Sequence, residues 1–125
     1  TVLAEGLIRL GIINQTLEEA LDLETGHLKH WYMHNTGHWL GLDVHDVGVY
    51  KPDGTPRLLE AGMVLTVEPG LYFGAWRPDV DCPERYANIG IRIEDDVLVT
   101  DGEPDVLTIR CPKTIDDIEG IVGTL

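Results

Sequence analysis

Apolar residues at helical spacing open the chain. Val2, Leu3, Leu7, Ile8 and Leu10 share one broad face, and Gly11 ends the run. Thr16 followed by Glu19 fits a capping box, in which hydroxyl and carboxylate each satisfy a free backbone N–H. A short helix is therefore predicted from Leu17 to about Glu24, ended by Gly26. His27 and His30 fall in the next connection, where a surface histidine is the ordinary reading. The period then changes. Trp31 to His34 reads as a short strand, and Lys51 to Arg57, with Pro52, Gly54 and Pro56, as a turn-rich loop. From Met63 to Glu68 the chain alternates: Met63, Leu65 and Val67 face one way, Val64, Thr66 and Glu68 the other. Pro69-Gly70 ends that run and leaves Glu68 at a strand terminus. Phe73 to Ala87, with Pro78 and Pro83, is a polar loop.

Gly90 to Thr100 is the second strong strand, with Ile91 and Ile93 on one face and Arg92 and Glu94 on the other. Asp101-Gly102 is a hairpin signal, and Val106 to Ile109 would be the returning strand. Thr114 caps a closing helix that carries Ile115, Ile118, Ile121 and Val122. Helices, then strands, then a helix predict an α+β fold with an antiparallel sheet and flanking helices.

Charge narrows the partners. With 22 acidic and 9 basic residues the formal net charge is −13, which argues against nucleic acid or an anionic membrane surface. Divalent metal is compatible with it. No apolar run approaches the length of roughly 18 residues that a membrane helix needs. Cys82 and Cys111 form no CxxC pattern and read as reduced thiols, with a cytoplasmic location expected.

The densest chemistry lies in His34 to Gly48, HNTGHWLGLDVHDVG. It holds three of the five histidines, His34, His38 and His45, with Asp43 and Asp46, punctuated by Gly37, Gly41 and Gly48. Imidazole is the commonest protein metal ligand and the side chain suited to proton transfer near neutral pH. Any one of these histidines alone would read as an ordinary hydrogen-bonded side chain, and Glu94 alone as the partner of Arg92. Asp43 and Asp46 read first as loop-forming residues with Asx-type hydrogen bonds. The coincidence of a histidine cluster with two strand glutamates, Glu68 and Glu94, is what changes the balance. Together they supply the mixed nitrogen and oxygen set that Mn, Co, Zn or Fe accepts. The HExxH helix of zinc proteases, the GxSxG elbow and the Walker loop are all absent.

HNTGHWLGLDVHDVG, MVLTVEPGLY and GIRIEDDVLVT, in that order, resemble the C-terminal motifs of the aminopeptidase P (Xaa-Pro aminopeptidase) family. These are pita-bread metallopeptidases, with prolidase and methionine aminopeptidase as relatives. The resemblance implies that residues 1–125 form the C-terminal part of a creatinase/aminopeptidase-like catalytic domain. It implies two divalent metal ions, manganese first, with cobalt, zinc or iron as alternatives. His38, Glu68 and Glu94 would be metal ligands, with Glu94 bridging both ions. Glu68 would also accept a proton from the attacking water. His45 would hold the scissile carbonyl side of the substrate, His34 would line the pocket, and Arg92 would steady the metal carboxylates. The expected substrate is a peptide with proline at its second position, and a homo-oligomer is expected.

One departure stands out. The family site also uses two aspartates on a hairpin that precedes these motifs, and the sequence shows no such hairpin. The chain alone is therefore expected to bind metal incompletely and to be inactive. Two further readings compete: a prolidase, or a non-catalytic pita-bread module that binds peptides. The retained His38, Glu68 and Glu94 argue against the module.

Overall fold

The computed structural model describes residues 1–74 and 80–123. They form two compact units, Thr1–Asn35 with Pro69–Arg92, and Thr36–Glu68 with Ile93–Leu125. No helix is long and apolar enough to cross a membrane.

In the first unit, α1 (Val2–Arg9) buries Ala4 and Leu7. Val2 and Leu10, placed on the apolar face by the spacing, are instead exposed. Helix α2 (Leu17–Leu21) carries the expected capping box in full: Thr16 accepts from the Glu19 N–H while Glu19 reaches back to the Thr16 N–H. It stops three residues before the predicted end. The Asp22 carboxylate captures the N–H groups of Glu24 and Thr25 and the Thr25 hydroxyl, so the backbone turns out of the helix there. The strand predicted for Trp31 to His34 is not formed. A single helical turn, α3 (Leu28–Trp31), drives Trp31 into the core against Phe73, with ring centroids 5.0 Å apart. The core is Ala4, Leu7, Ile13, Ala20, Trp31 and Phe73.

Phe73 belongs to a strand, not to the predicted loop. Strand β2 (Gly70–Phe73) pairs antiparallel with β3 (Ile89–Arg92), Gly70 opposite Arg92. The rest of that predicted loop includes residues 75–79, which lie outside the described residues.

In the second unit, β1 (Val64–Val67) pairs antiparallel with β4 (Asp95–Leu98), which pairs with β5 (Asp105–Val106). The strand predicted as continuous from Gly90 to Thr100 is therefore two strands in two sheets. The break falls at Ile93 and Glu94, and Pro69, which has no N–H to give to a ladder, separates β1 from β2 in the other arm. Glu94, predicted to share a strand with Arg92, lies outside β3 and β4, while Arg92 ends β3. The hairpin at Asp101-Gly102 forms, but its returning strand is only Asp105–Val106, because Thr108 turns its hydroxyl onto Asp95 and Asp96. That hydroxyl, followed by the Lys113 ammonium, holds the Asp95 carboxyl below the usual carboxylate range. Helix α4 (Ile115–Glu119) is capped by Thr114 as expected, but Ile115, Ile118, Ile121 and Val122 are all exposed.

Candidate metal centre

Two segments of the second unit run side by side to build the site. Thr36 to Leu40 lies antiparallel to β1, with an isolated bridge from Trp39 to Leu65. The N–H of Glu68 donates to the Thr36 carbonyl (2.6 Å), that of Thr66 to the His38 carbonyl (3.0 Å), and that of Leu40 to the Val64 carbonyl (3.0 Å). Gly37 permits this approach, since a Cβ there would collide with the Thr66 carbonyl. His38 is thereby delivered beside the end of β1.

The alternation along β1 holds, but its polar side is the buried one. Thr66 is 2% exposed and Glu68 8%, whereas Val67 is exposed. An ionised carboxylate at that depth needs partners. Glu68 Oε1 accepts from the Thr66 hydroxyl (3.1 Å) and lies 3.2 Å from His38 Nε2. His38 Nδ1 lies 3.0 Å from the Trp39 carbonyl, which can only accept, so Nδ1 carries a proton and Nε2 is the nitrogen turned to Glu68. A ring nitrogen 3.2 Å from a carboxylate oxygen is bridged either by a proton on Nε2 or by a cation that both atoms share. Glu94 completes the group: one ligand atom from each of His38, Glu68 and Glu94 lies within 4.8 Å of the other two.

The ladder explains why the carboxylates meet. Val67 pairs with Asp95, so one further step sets Glu68 across from Glu94. Like charges at that spacing repel. Glu94 is exposed, so solvent carries part of that repulsion. One nitrogen and two carboxylate oxygens suit a divalent first-row metal.

His45 packs its ring edge-on against His38, centroids 4.4 Å apart, and is exposed. Asp43 and Asp46 sit in a loop held by backbone bonds, Asp46 N–H to the Trp39 carbonyl and Gly41 N–H to the Asp43 carbonyl. The Asp46 carboxylate packs against Gly41. His34 and Arg92 belong to the first unit. There His34 Nδ1 faces the Asn35 carbonyl (2.7 Å), which leaves Nε2 to accept from the Tyr72 hydroxyl (2.8 Å). Arg92 closes β3.

Thr66 is the site residue the sequence does not distinguish. Its hydroxyl accepts from the His38 N–H (3.1 Å) and donates to Glu68, tying the two together. Its only signal is position, two residues before Glu68 on the same strand face.

An antiparallel ladder that ends in a histidine and two facing carboxylates offers a ligand set for a divalent metal. Residues 5–101 match the model for metallopeptidase family M24, and the chain belongs to that family. It is 46% identical to the Xaa-Pro aminopeptidase of Escherichia coli K12 over 97% of its own length and 26% of that protein. The structure of Pseudomonas aeruginosa aminopeptidase PepP superposes with a TM-score of 0.84 at 46% identity, covering 95% of this chain and 26% of that one. Escherichia coli aminopeptidase P superposes at 0.82 and 46% over the same shares, both with the inhibitor Pro-Leu and, zinc-substituted, with product. These neighbours bear out the expected α+β pita-bread architecture. The chain spans about a quarter of the length of the curated relatives it matches.

Proposed function

We propose that this chain supplies part of the catalytic centre of a dinuclear metal aminopeptidase that releases an N-terminal residue preceding proline. The carrying observation is the convergence of His38, Glu68 and Glu94 within 4.8 Å, with His38 Nδ1 turned to a carbonyl and Nε2 left to bind. In this reading His38 and Glu68 would hold one ion and Glu94 would be shared with a second. Manganese is the metal proposed first. Two divalent cations there would lower the pKa of a shared water and polarise the scissile carbonyl.

The remaining work belongs to the side chains. Glu68, hydrogen-bonded to Thr66 through Oε1, takes up the proton the water loses. His45, exposed beside His38, steadies the oxygen on which charge develops. His34 lines the substrate pocket in the tautomer its Asn35 and Tyr72 contacts impose. By the family resemblance, Arg92 would steady the metal carboxylates. The peptide substrate carries proline at its second position, in keeping with the names of the relatives and with the Pro-Leu inhibitor held by one of them. Assembly as a homo-oligomer in the cytoplasm completes the proposal.

The test joins this chain, in place of its counterpart, to the remainder of the Escherichia coli relative. With Mn²⁺, the hybrid is expected to cleave Xaa-Pro-Xaa tripeptides, to spare Xaa-Ala-Xaa, and to lose activity on His38→Ala. A folded, metal-loaded hybrid without turnover overturns the reading. Cleavage of Xaa-Pro dipeptides alone would favour prolidase.

A further inference from the structure

We propose that Thr108 and Lys113 are positioning residues for Glu94, an inference that rests on the metal reading above. Glu94 lies outside both neighbouring strands. Its place is set by the last rung of the β1–β4 ladder, Val67 opposite Asp95, which adjoins both facing glutamates. Ladder ends fray, and Pro69, two residues past Val67, has no N–H with which to extend this one.

The terminal rung is pinned from the side. Thr108 Oγ1 donates to Asp95 Oδ1 (2.6 Å) and accepts from the Asp96 N–H (3.0 Å), so one hydroxyl grips two successive residues of β4. Lys113 Nζ donates to the same Asp95 oxygen (3.0 Å) and to the carbonyls of Thr108 (3.0 Å) and Cys111 (2.8 Å), which accounts for its three protons. The Leu107 N–H adds a bond to the Asp96 carbonyl (2.9 Å). A segment following β5 thus clamps the residue next to Glu94. The clamp keeps Glu94 across from Glu68, where one cation reaches both.

The experiment titrates Mn²⁺ into the chain by calorimetry, at a temperature where circular dichroism shows each variant folded. Thr108→Val keeps the shape and removes the hydroxyl. Its affinity is expected to fall by about ten-fold or more, the usual effect of losing a group that orients a metal ligand. Thr108→Ser restores the hydroxyl and should recover most of the affinity. Lys113→Met should weaken binding in the same direction, and stands in if Thr108→Val does not fold. Thr114→Val removes the α4 cap, whose hydrogen bonds go to Asp117 and not to β4, and should lower the melting temperature without moving the affinity. Unchanged affinity in Thr108→Val and Lys113→Met overturns the clamp and leaves the metal reading standing. Equal weakening in Thr114→Val reduces the clamp to general stability and also overturns it. No binding by the unsubstituted chain overturns the metal reading and this inference with it.

Discussion

Glu68 stands across the β1–β4 ladder from Glu94, one step past the pair formed by Val67 and Asp95. Both ligand oxygens lie within 4.8 Å of His38. Strand pairing, which further along the ladder sets Val64 against Leu98 and Leu65 against Val97, here sets two anions face to face. Like charges so placed repel, and a cation shared between them would offset the repulsion.

The repulsion has a measurable sign. Glu94→Gln keeps the shape and removes one charge. The metal-free chain is expected to become more stable, by at most about 1 kcal/mol, the range for a cross-strand pair. Saturating Mn²⁺ should stabilise the unsubstituted chain and have little effect on the variant. Paired thermal melts with and without metal check both. A variant less stable than the parent in the absence of metal would contradict the repulsion.

Thr66 couples the two least exposed ligands, with its hydroxyl between the His38 N–H and Glu68. Thr66→Val leaves that N–H and one carboxylate contact unmet in a buried position. The expected loss is about 1–3 kcal/mol of stability, with weaker metal binding. Thr66→Ser should recover most of both. Urea unfolding with calorimetry separates the two effects.

The loop bearing His45 is closed at its base by Trp39 and Tyr50. Their rings stack with centroids 5.4 Å apart, and the Trp39 N–H donates to the Tyr50 hydroxyl (2.9 Å). Gly48 lies against the Trp39 ring, leaving no comfortable space for a Cβ. At the tip, Leu42, Val44 and Val47 are exposed, so little within the unit holds the loop from above. Tyr50→Ala is expected to cost about 1 kcal/mol of aromatic contact. It should also speed amide exchange across residues 41–49 and weaken the cross-peak between the His38 and His45 rings. Unaltered exchange would show that the base does not govern the loop.

Acid should loosen α2 before it reaches the rest of the first unit. Backbone and side-chain hydrogen bonds from Thr16 hold the Glu19 carboxyl below its ordinary range, and those from Thr25, then Glu24, do the same for Asp22. A carboxylate whose folded pKa is depressed contributes stability that is present above its unfolded value and lost as pH falls through the folded one. Residues 16–25 should therefore lose exchange protection as pH drops below the usual carboxylate range. Asp22→Asn should remove most of the pH dependence at Glu24 and Thr25. Protection that stays flat to pH 2 would refute this.

The sequence discloses elements whose signals are local. The capping box at Thr16 and Glu19, the alternation of β1 and the turn at Asp101-Gly102 need only near neighbours, and all three form. What depends on distant partners is hidden. Trp31 to His34 has strand-like composition, yet Trp31 is claimed by a core in another element, and one helical turn delivers it there. The run from Gly90 to Thr100 reads as one strand, but only pairing with two different strands reveals the break at Ile93 and Glu94. The motifs mark His38, Glu68 and Glu94 individually. Their face-to-face register needs β1 and β4, joined by a long connection, to be aligned first.

Ligand counting gives the last expectation. Among the described residues, His38, Glu68 and Glu94 form the one group of three or more potential ligands, with Asp43, Asp46 and His34 outside it. One ion can take all three, and a second is then left with Glu94 alone. Two cations at close spacing repel, and each bridging carboxylate offsets part of that repulsion, so a single bridge is expected to hold the second ion poorly. Calorimetry with Mn²⁺ on the 125-residue chain should accordingly show one weak site per chain, lost in His38→Ala, and an Xaa-Pro tripeptide should not be turned over. Joined to the remainder of the Escherichia coli relative, the same residues should bind two ions and support hydrolysis. Tight binding of two ions by the chain alone would mean that another carboxylate, Asp46 or Asp43 first, swings in to complete the site. Asp46→Asn would then abolish the second equivalent and leave the first.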